Sequence, residues 1–127
     1  MRDRFWVVAA LSLLVVTSAS AEDEAVIDSF ELSDAQALVT ACTVPEGNPL
    51  AATANGFCLG YMTGAIQLYA AAAASPNVEN QLCPGRVVSR SEMRRIFLDW
   101  AAAHPERLDE PAIDGLARAA VAAFPCT

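Results

Sequence analysis

Cys42, Cys58, Cys83 and Cys126 are the four cysteines of a 127-residue chain, and all lie beyond an export-type leader. In an oxidising compartment, an even number of cysteines in so short a chain predicts two disulfides. The rival arrangement is a zinc site made from four thiols, or from three with His104. It lacks the C-x-x-C or H-x-x-x-H spacing that structural zinc sites usually carry. A lone catalytic cysteine fits less well still. Four cysteines allow three connectivities, so the order and direction of the helices must choose among them.

The leader occupies residues 1–21. Arg2 and Arg4 make a basic start, Phe5 to Val16 is apolar apart from Ser12, and Ala19-Ser20-Ala21 is a small-residue cleavage site. That order predicts a secretory signal peptide cut after Ala21. A membrane-spanning helix needs about 20 apolar residues, and this run is shorter. No cysteine follows the cut, which argues against a lipoprotein. The expected mature protein is a single soluble domain, residues 22–127, in the periplasm, with no membrane segment left.

Glu22 to Glu31 is acidic without clear periodicity and is expected to be extended or frayed. Capping and apolar spacing then predict four helices. The first opens at Ser33, where Ser33 and Gln36 form an S-x-x-Q capping box. It places Leu38, Ala41 and Cys42 on one face and stops before Pro45. After a loop over Thr43 to Thr53, the second covers about Asn55 to Ala74, with Phe57, Tyr61, Ala65, Leu68 and Ala72 at helical spacing. Gly56, Gly60 and Gly64 recur along one flank. Each interior glycine costs about 1 kcal/mol against alanine, so this strip, with Tyr61, reads as a helix-packing face that another backbone approaches closely.

A second loop, Ser75 to Val88, contains Cys83. The third helix opens on Ser89, with Glu92 completing a capping box and Val88 stapling onto Met93. Met93, Ile96, Phe97, Trp100 and Ala101 follow the amphipathic template, and His104-Pro105 ends it. The fourth begins near Asp109 and carries Pro111 in its first turn. It faces inward with Ile113, Leu116, Ala117, Ala120, Val121 and Phe124, and stops at Pro125. No segment alternates as a strand does. The fold class is all-α, a small disulfide-bonded bundle of about four helices.

If consecutive helices run antiparallel, Cys42 and Cys58 share one end of the bundle, and Cys83 and Cys126 share the other. Bonded cysteines need Cα atoms within about 7 Å. The expected bridges are Cys42–Cys58 and Cys83–Cys126.

Charge narrows the function. The net charge is -7 and the pI about 4.5, which disfavours nucleic acid and anionic lipid as partners. Removing Arg2, Arg4 and Asp3 with the leader leaves 6 basic and 14 acidic side chains, net -8. All eight basic residues are arginine, so lysine chemistry is excluded. His104 is the only histidine and sits at a helix end. No G-x-S-x-G, P-loop or H-E-x-x-H motif occurs. Asp109 and Glu110 are a carboxylate pair, but they stand where acids favour a helix start. The expectation is a protein that is not an enzyme, without metal or cofactor, binding a basic partner.

Phe57-Cys58-Leu59-Gly60-Tyr61-Met62-Thr63-Gly64 looks like the C-x-G-Y-x-x-G signature of the Rap/Tai immunity proteins. Leu82-Cys83-Pro84, Ala103-His104-Pro105-Glu106 and Ala123-Phe124-Pro125-Cys126 resemble its later blocks in order, so the resemblance runs from about Leu32 to Cys126. It implies a small all-helical periplasmic protein, often a homodimer. The family's characterised members neutralise peptidoglycan amidases delivered by type VI secretion, which are papain-like Cys/His hydrolases. The shared blocks map onto scaffold residues and do not mark the contact surface. The loop from His104 to Glu110 is the acidic projection expected to enter the amidase cleft. It carries His104, Glu106, Arg107, Asp109 and Glu110, and Glu106, Asp109 or Glu110 would meet a catalytic imidazolium there. The alternative is a periplasmic helical binding or chaperone-like module with no toxin partner.

Overall fold

A computed structural model describes residues 20–127. The leader expected over residues 1–21 therefore lies outside the described residues, save for Ser20 and Ala21. Among the described residues there are five α-helices: α1 (Ala21–Ser29), α2 (Ala35–Cys42), α3 (Ala51–Ala73), α4 (Arg90–Ala103) and α5 (Ala112–Ala123). A single 3-10 turn, Pro105–Arg107, lies between α4 and α5. The one extended pairing among the described residues is an isolated bridge between Leu82 and Pro125.

The acidic N-terminal segment is a helix, not the extended arm its composition suggested. Ser20 caps it by accepting from the Asp23 N–H at 3.3 Å, and Glu22, Asp23 and Glu24 lie in the first turn, where the dipole favours them. Distant partners hold it down. Asn48 donates to Asp23 Oδ1 at 3.0 Å, Phe30 packs on Phe57 with centroids 4.9 Å apart, and Val26 is buried.

The cap of α2 is Asp34 rather than Ser33, its carboxylate accepting from the Ala37 N–H at 2.8 Å. The next donors go elsewhere: Ala35 N–H bonds the Glu110 carbonyl at 2.8 Å and Gln36 N–H the Leu108 carbonyl at 2.9 Å. The start of α2 is thus tied to the turn after α4. Its end, at Cys42, shares a hollow with Arg94 in the early part of α4. The first predicted helix therefore runs opposite to the third, where simple alternation made them parallel.

Helix α3 begins at Ala51, earlier than expected, because Asn48 organises the preceding turn. Its side chain accepts from Leu50 N–H at 2.7 Å and its carbonyl from Ala51 N–H at 3.0 Å. Ser89 caps α4 by accepting from the Glu92 N–H at 3.1 Å. The Glu92 carboxylate does not return to close the box; it binds Arg86 at 2.5 and 2.9 Å.

The interior is centred on Phe97, Leu38, Met62 and the Cys42–Cys58 bridge, with Trp100 and Leu116 beside them. Helix α5 contributes Ala112, Gly115, Leu116, Ala119 and Ala120, and starts later than expected with Pro111 just outside it. Ile113, Ala117 and Val121 face outward, against expectation, and Phe124 lies beyond the helix end. Packing explains the rotation. At Gly115 a β-carbon would come within 2.9 Å of the Ala35 β-carbon and 3.5 Å of the Trp100 ring, so the small-residue side of α5 lies inward.

Among the described residues, no other helix packs on Gly56, Gly60 or Gly64. All three are exposed, and a β-carbon added at any of them meets nothing within 4 Å. The interior side of α3 is the opposite one, carrying Ala54, Cys58 and Met62. Tyr61 is half-buried there, and burial together with nearby Asp114 raises its phenol above the ordinary range.

Disulfides join Cys42 to Cys58 and Cys83 to Cys126, with Cα atoms 5.1 and 4.9 Å apart. The first bridge is buried and the second exposed. The second secures the loop before α4 to the segment after α5, where Cys83 N–H also donates to the Phe124 carbonyl at 2.9 Å.

Candidate functional site

The turn between α4 and α5 gathers the five residues singled out from the sequence. Helix α4 ends at Ala103 because His104 leaves the helical region and Pro105 cannot donate. His104 Nδ1 lies 2.8 Å from the Trp100 carbonyl, and since a carbonyl only accepts, that nitrogen carries the proton. The imidazole stacks on the Trp100 ring at 4.9 Å. Arg107 N–H donates to the His104 carbonyl at 3.0 Å, which closes the 3-10 turn.

Glu110 is the hub. Arg107 Nη1 donates to its Oε1 and Arg118 Nε to its Oε2, each at 2.7 Å. The Arg118 bond first, and the Arg107 bond with it, hold the Glu110 carboxyl below the usual carboxylate range against partial desolvation. The Glu110 and Leu108 carbonyls accept the α2 donors described above. Side chain and backbone alike tie this turn to α2 and α5.

The five residues therefore divide. Glu110 is spent on internal contacts and does not project as a free acid. His104 is engaged through Nδ1 and its ring face, and Arg107 through Glu110. Glu106 and Asp109 are the exposed carboxylates of the turn, with Glu106 4.0 Å from Arg107 Nε. Arg118 belongs to the same cluster and sequence reasoning missed it. Its distance of eight residues from Glu110 is two helical turns, outside the i, i+4 spacing by which such pairs are sought. Beside the turn lies an open hollow of about 450 Å³, bounded by Gln81, Trp100, His104, Arg107, Arg118 and Val121 among others.

Among the described residues no helix is long and apolar enough to cross a membrane. The arrangement offers a partner a braced turn with two outward carboxylates, which suits recognition of cationic groups by shape and charge.

No match is found among curated proteins or among solved structures. The family model of Rap1a immunity proteins matches residues 34–126. That span begins at the Asp34 cap, takes in α2 to α5, all four cysteines and the His104–Glu110 turn, and leaves out residues 1–33, α1 among them, and Thr127. The chain belongs to the Rap1a immunity protein family.

Proposed function

We propose that this protein is exported to the periplasm with residues 1–21 removed, and that it there binds and inhibits a peptidoglycan amidase delivered by type VI secretion. It does so by seating the α4–α5 turn in the enzyme's active-site cleft. The homodimer implied by the resemblance is part of this reading. The protein works by occupancy and performs no reaction of its own.

The observation that carries the reading is the double clamp on Glu110. Arg107 and Arg118 hold both carboxylate oxygens at 2.7 Å, so the turn is ordered before a partner arrives. Pre-ordering lowers the entropic cost of association. It leaves Glu106 and Asp109 outward, where either carboxylate can pair with the imidazolium of a Cys/His hydrolase. A charge-assisted contact of that kind, formed where water is excluded, is among the stronger polar interactions.

The test uses a type VI peptidoglycan amidase that binds the protein, sought first among the reading frames beside its gene. Inhibition of wall-fragment cleavage and the dissociation constant are measured for the wild type and for Glu106→Lys with Asp109→Lys. The expected result is a loss of affinity of about 100-fold or more, since removing one side of a desolvated charge pair costs several kcal/mol. Unchanged affinity would remove the turn from the mechanism. Failure to find any amidase that binds would favour the helical binding module without a toxin partner.

A further inference from the structure

We propose that the hollow enclosed by the loop between α2 and α3, the start of α3 and the early part of α4 binds a free dipeptide with small side chains, held as its zwitterion. The hollow has a volume of about 380 Å³, and its walls include Val44, Glu46, Ala51, Ala52, Asn55 and Arg94. That is the size of a small-molecule site. Arg94 is half-buried and donates from Nη1 to Asn55 Oδ1 at 2.8 Å. A guanidinium only donates, so it is the Asn55 oxygen that is engaged, and Asn55 is left to offer its Nδ2 hydrogens. The other N–H groups of Arg94 lie beside them. An occupant of this wall must therefore accept hydrogen bonds, and a carboxylate matches the planar fork of the guanidinium.

The charge pattern points the same way. Six arginines occur among the described residues, and four of them, Arg86, Arg90, Arg94 and Arg95, fall between residues 86 and 95, where Glu92 is the one acid. Arg86 takes Glu92. Arg90, Arg94 and Arg95 make no ion pair among the described residues. Arg90 opens α4, and Arg94 and Arg95 follow a turn later, at the end of the helix where the dipole opposes positive charge. Helix stability therefore does not account for them. In a chain of net charge -7, a guanidinium set into a hollow without a carboxylate is a place for an anion from outside.

Glu46 and the small side chains define the rest of the ligand. Glu46 is exposed on the same hollow and does not pair with Arg94, so the hollow carries both signs of charge unjoined. A carboxylate on Arg94 and an ammonium on Glu46 satisfy both, and a free peptide brings both. Val44, Ala51 and Ala52 leave a short apolar wall between polar groups, which suits methyl-sized side chains. Inorganic phosphate gains nothing from that wall and is repelled by Glu46.

The experiment titrates the oxidised, nitrogen-15-labelled protein with alanyl-alanine, its C-terminal amide, its N-acetyl form and inorganic phosphate, and follows the backbone amides by NMR. Wild type is compared with Arg94→Gln, Glu46→Gln and Ala52→Phe. Ala52 is exposed, so its phenyl replacement fills the hollow without touching the interior. Circular dichroism and intact disulfides check that each variant is folded. The expected result is a saturable shift of the amides around Ala52, Asn55 and Arg94 with alanyl-alanine. Amidation of the ligand and Arg94→Gln should each raise the dissociation constant about 10-fold or more, as loss of a charged hydrogen bond does. Acetylation should raise it about 2- to 5-fold, the worth of an exposed ion pair. Glu46→Gln should weaken alanyl-alanine by the same factor and leave the acetylated form unchanged. Ala52→Phe should abolish the shifts. No saturable shift at these residues overturns the proposal. So does binding that survives both Arg94→Gln and Ala52→Phe, or equal affinity for all three peptide forms. Phosphate that binds as tightly as alanyl-alanine overturns it in favour of a simple anion site.

Discussion

Gly115 and Ala35 meet with no room for a side chain between them: a β-carbon on residue 115 would lie 2.9 Å from the Ala35 β-carbon. Ala35 has no flexible end to swing away, is fully buried, and is held by its N–H bond to the Glu110 carbonyl at 2.8 Å. This contact joins α2 to α5 and, through Glu110, to the acidic turn.

Gly115→Ala should therefore destabilise the protein. Alanine gains about 1 kcal/mol of helix propensity over glycine, but overpacking at a rigid contact costs about 1–3 kcal/mol. The net is a lower Tm in thermal unfolding. Gly60→Ala, where nothing lies within 4 Å, should raise stability by about 0.5–1 kcal/mol. Equal and favourable shifts for both would contradict the packing described for α5.

The Glu110 clamp should leave a mark in acid. Its folded-state carboxyl is held below the ordinary value of 4.5 by Arg118 and Arg107. A depressed pKa means that the unfolded chain takes up the proton first, so the stabilisation is present above the ordinary carboxylate range and fades as pH falls through the lower folded value. Glu110→Gln removes it at every pH. The stability gap between wild type and Glu110→Gln should be open at neutral pH and close in strong acid. Glu92, depressed chiefly by its hydrogen bond from Arg86, adds a slope of the same sign that this substitution leaves in place.

The two bridges should separate under mild reduction. Cys83–Cys126 is exposed and Cys42–Cys58 buried, so titration with a dithiol followed by alkylation and peptide mapping should find Cys83 and Cys126 labelled first. In the loop-entropy account, their sequence separations of 43 and 16 residues correspond to about 4 and about 3 kcal/mol of stabilisation. Urea unfolding of Cys83→Ala with Cys126→Ala should show a loss approaching the larger figure. Simultaneous labelling of all four thiols would mean that the buried bridge opens with the exposed one.

Helix α4 was legible in the sequence because everything that specifies it is local: Ser89 to cap it, Met93, Phe97 and Trp100 at helical spacing, and Pro105 to stop it. Helix α1 was not, because its anchors, Asn48 and Phe57, lie far along the chain. The direction of α2 escaped for the same reason. It is set by carbonyls at Leu108 and Glu110, roughly seventy residues away. In α5 the apolar residues are dense enough to define more than one face, and only the Ala35–Gly115 contact decides between them. The acidic turn stood out as a break between two helices. The inward duty of Glu110 depends on Arg118, two helical turns into the next element, and adjacent spacing does not reveal it.

Helix α1 starts at Ala21, with Ser20 as its cap, so the proposed scissile bond after Ala21 falls inside the first helical turn. Peptidases act on exposed, unwound backbone. Trimming and coiling of this stretch therefore compete for the same residues, and a chain that wraps up before it is cut would shield its own leader from removal.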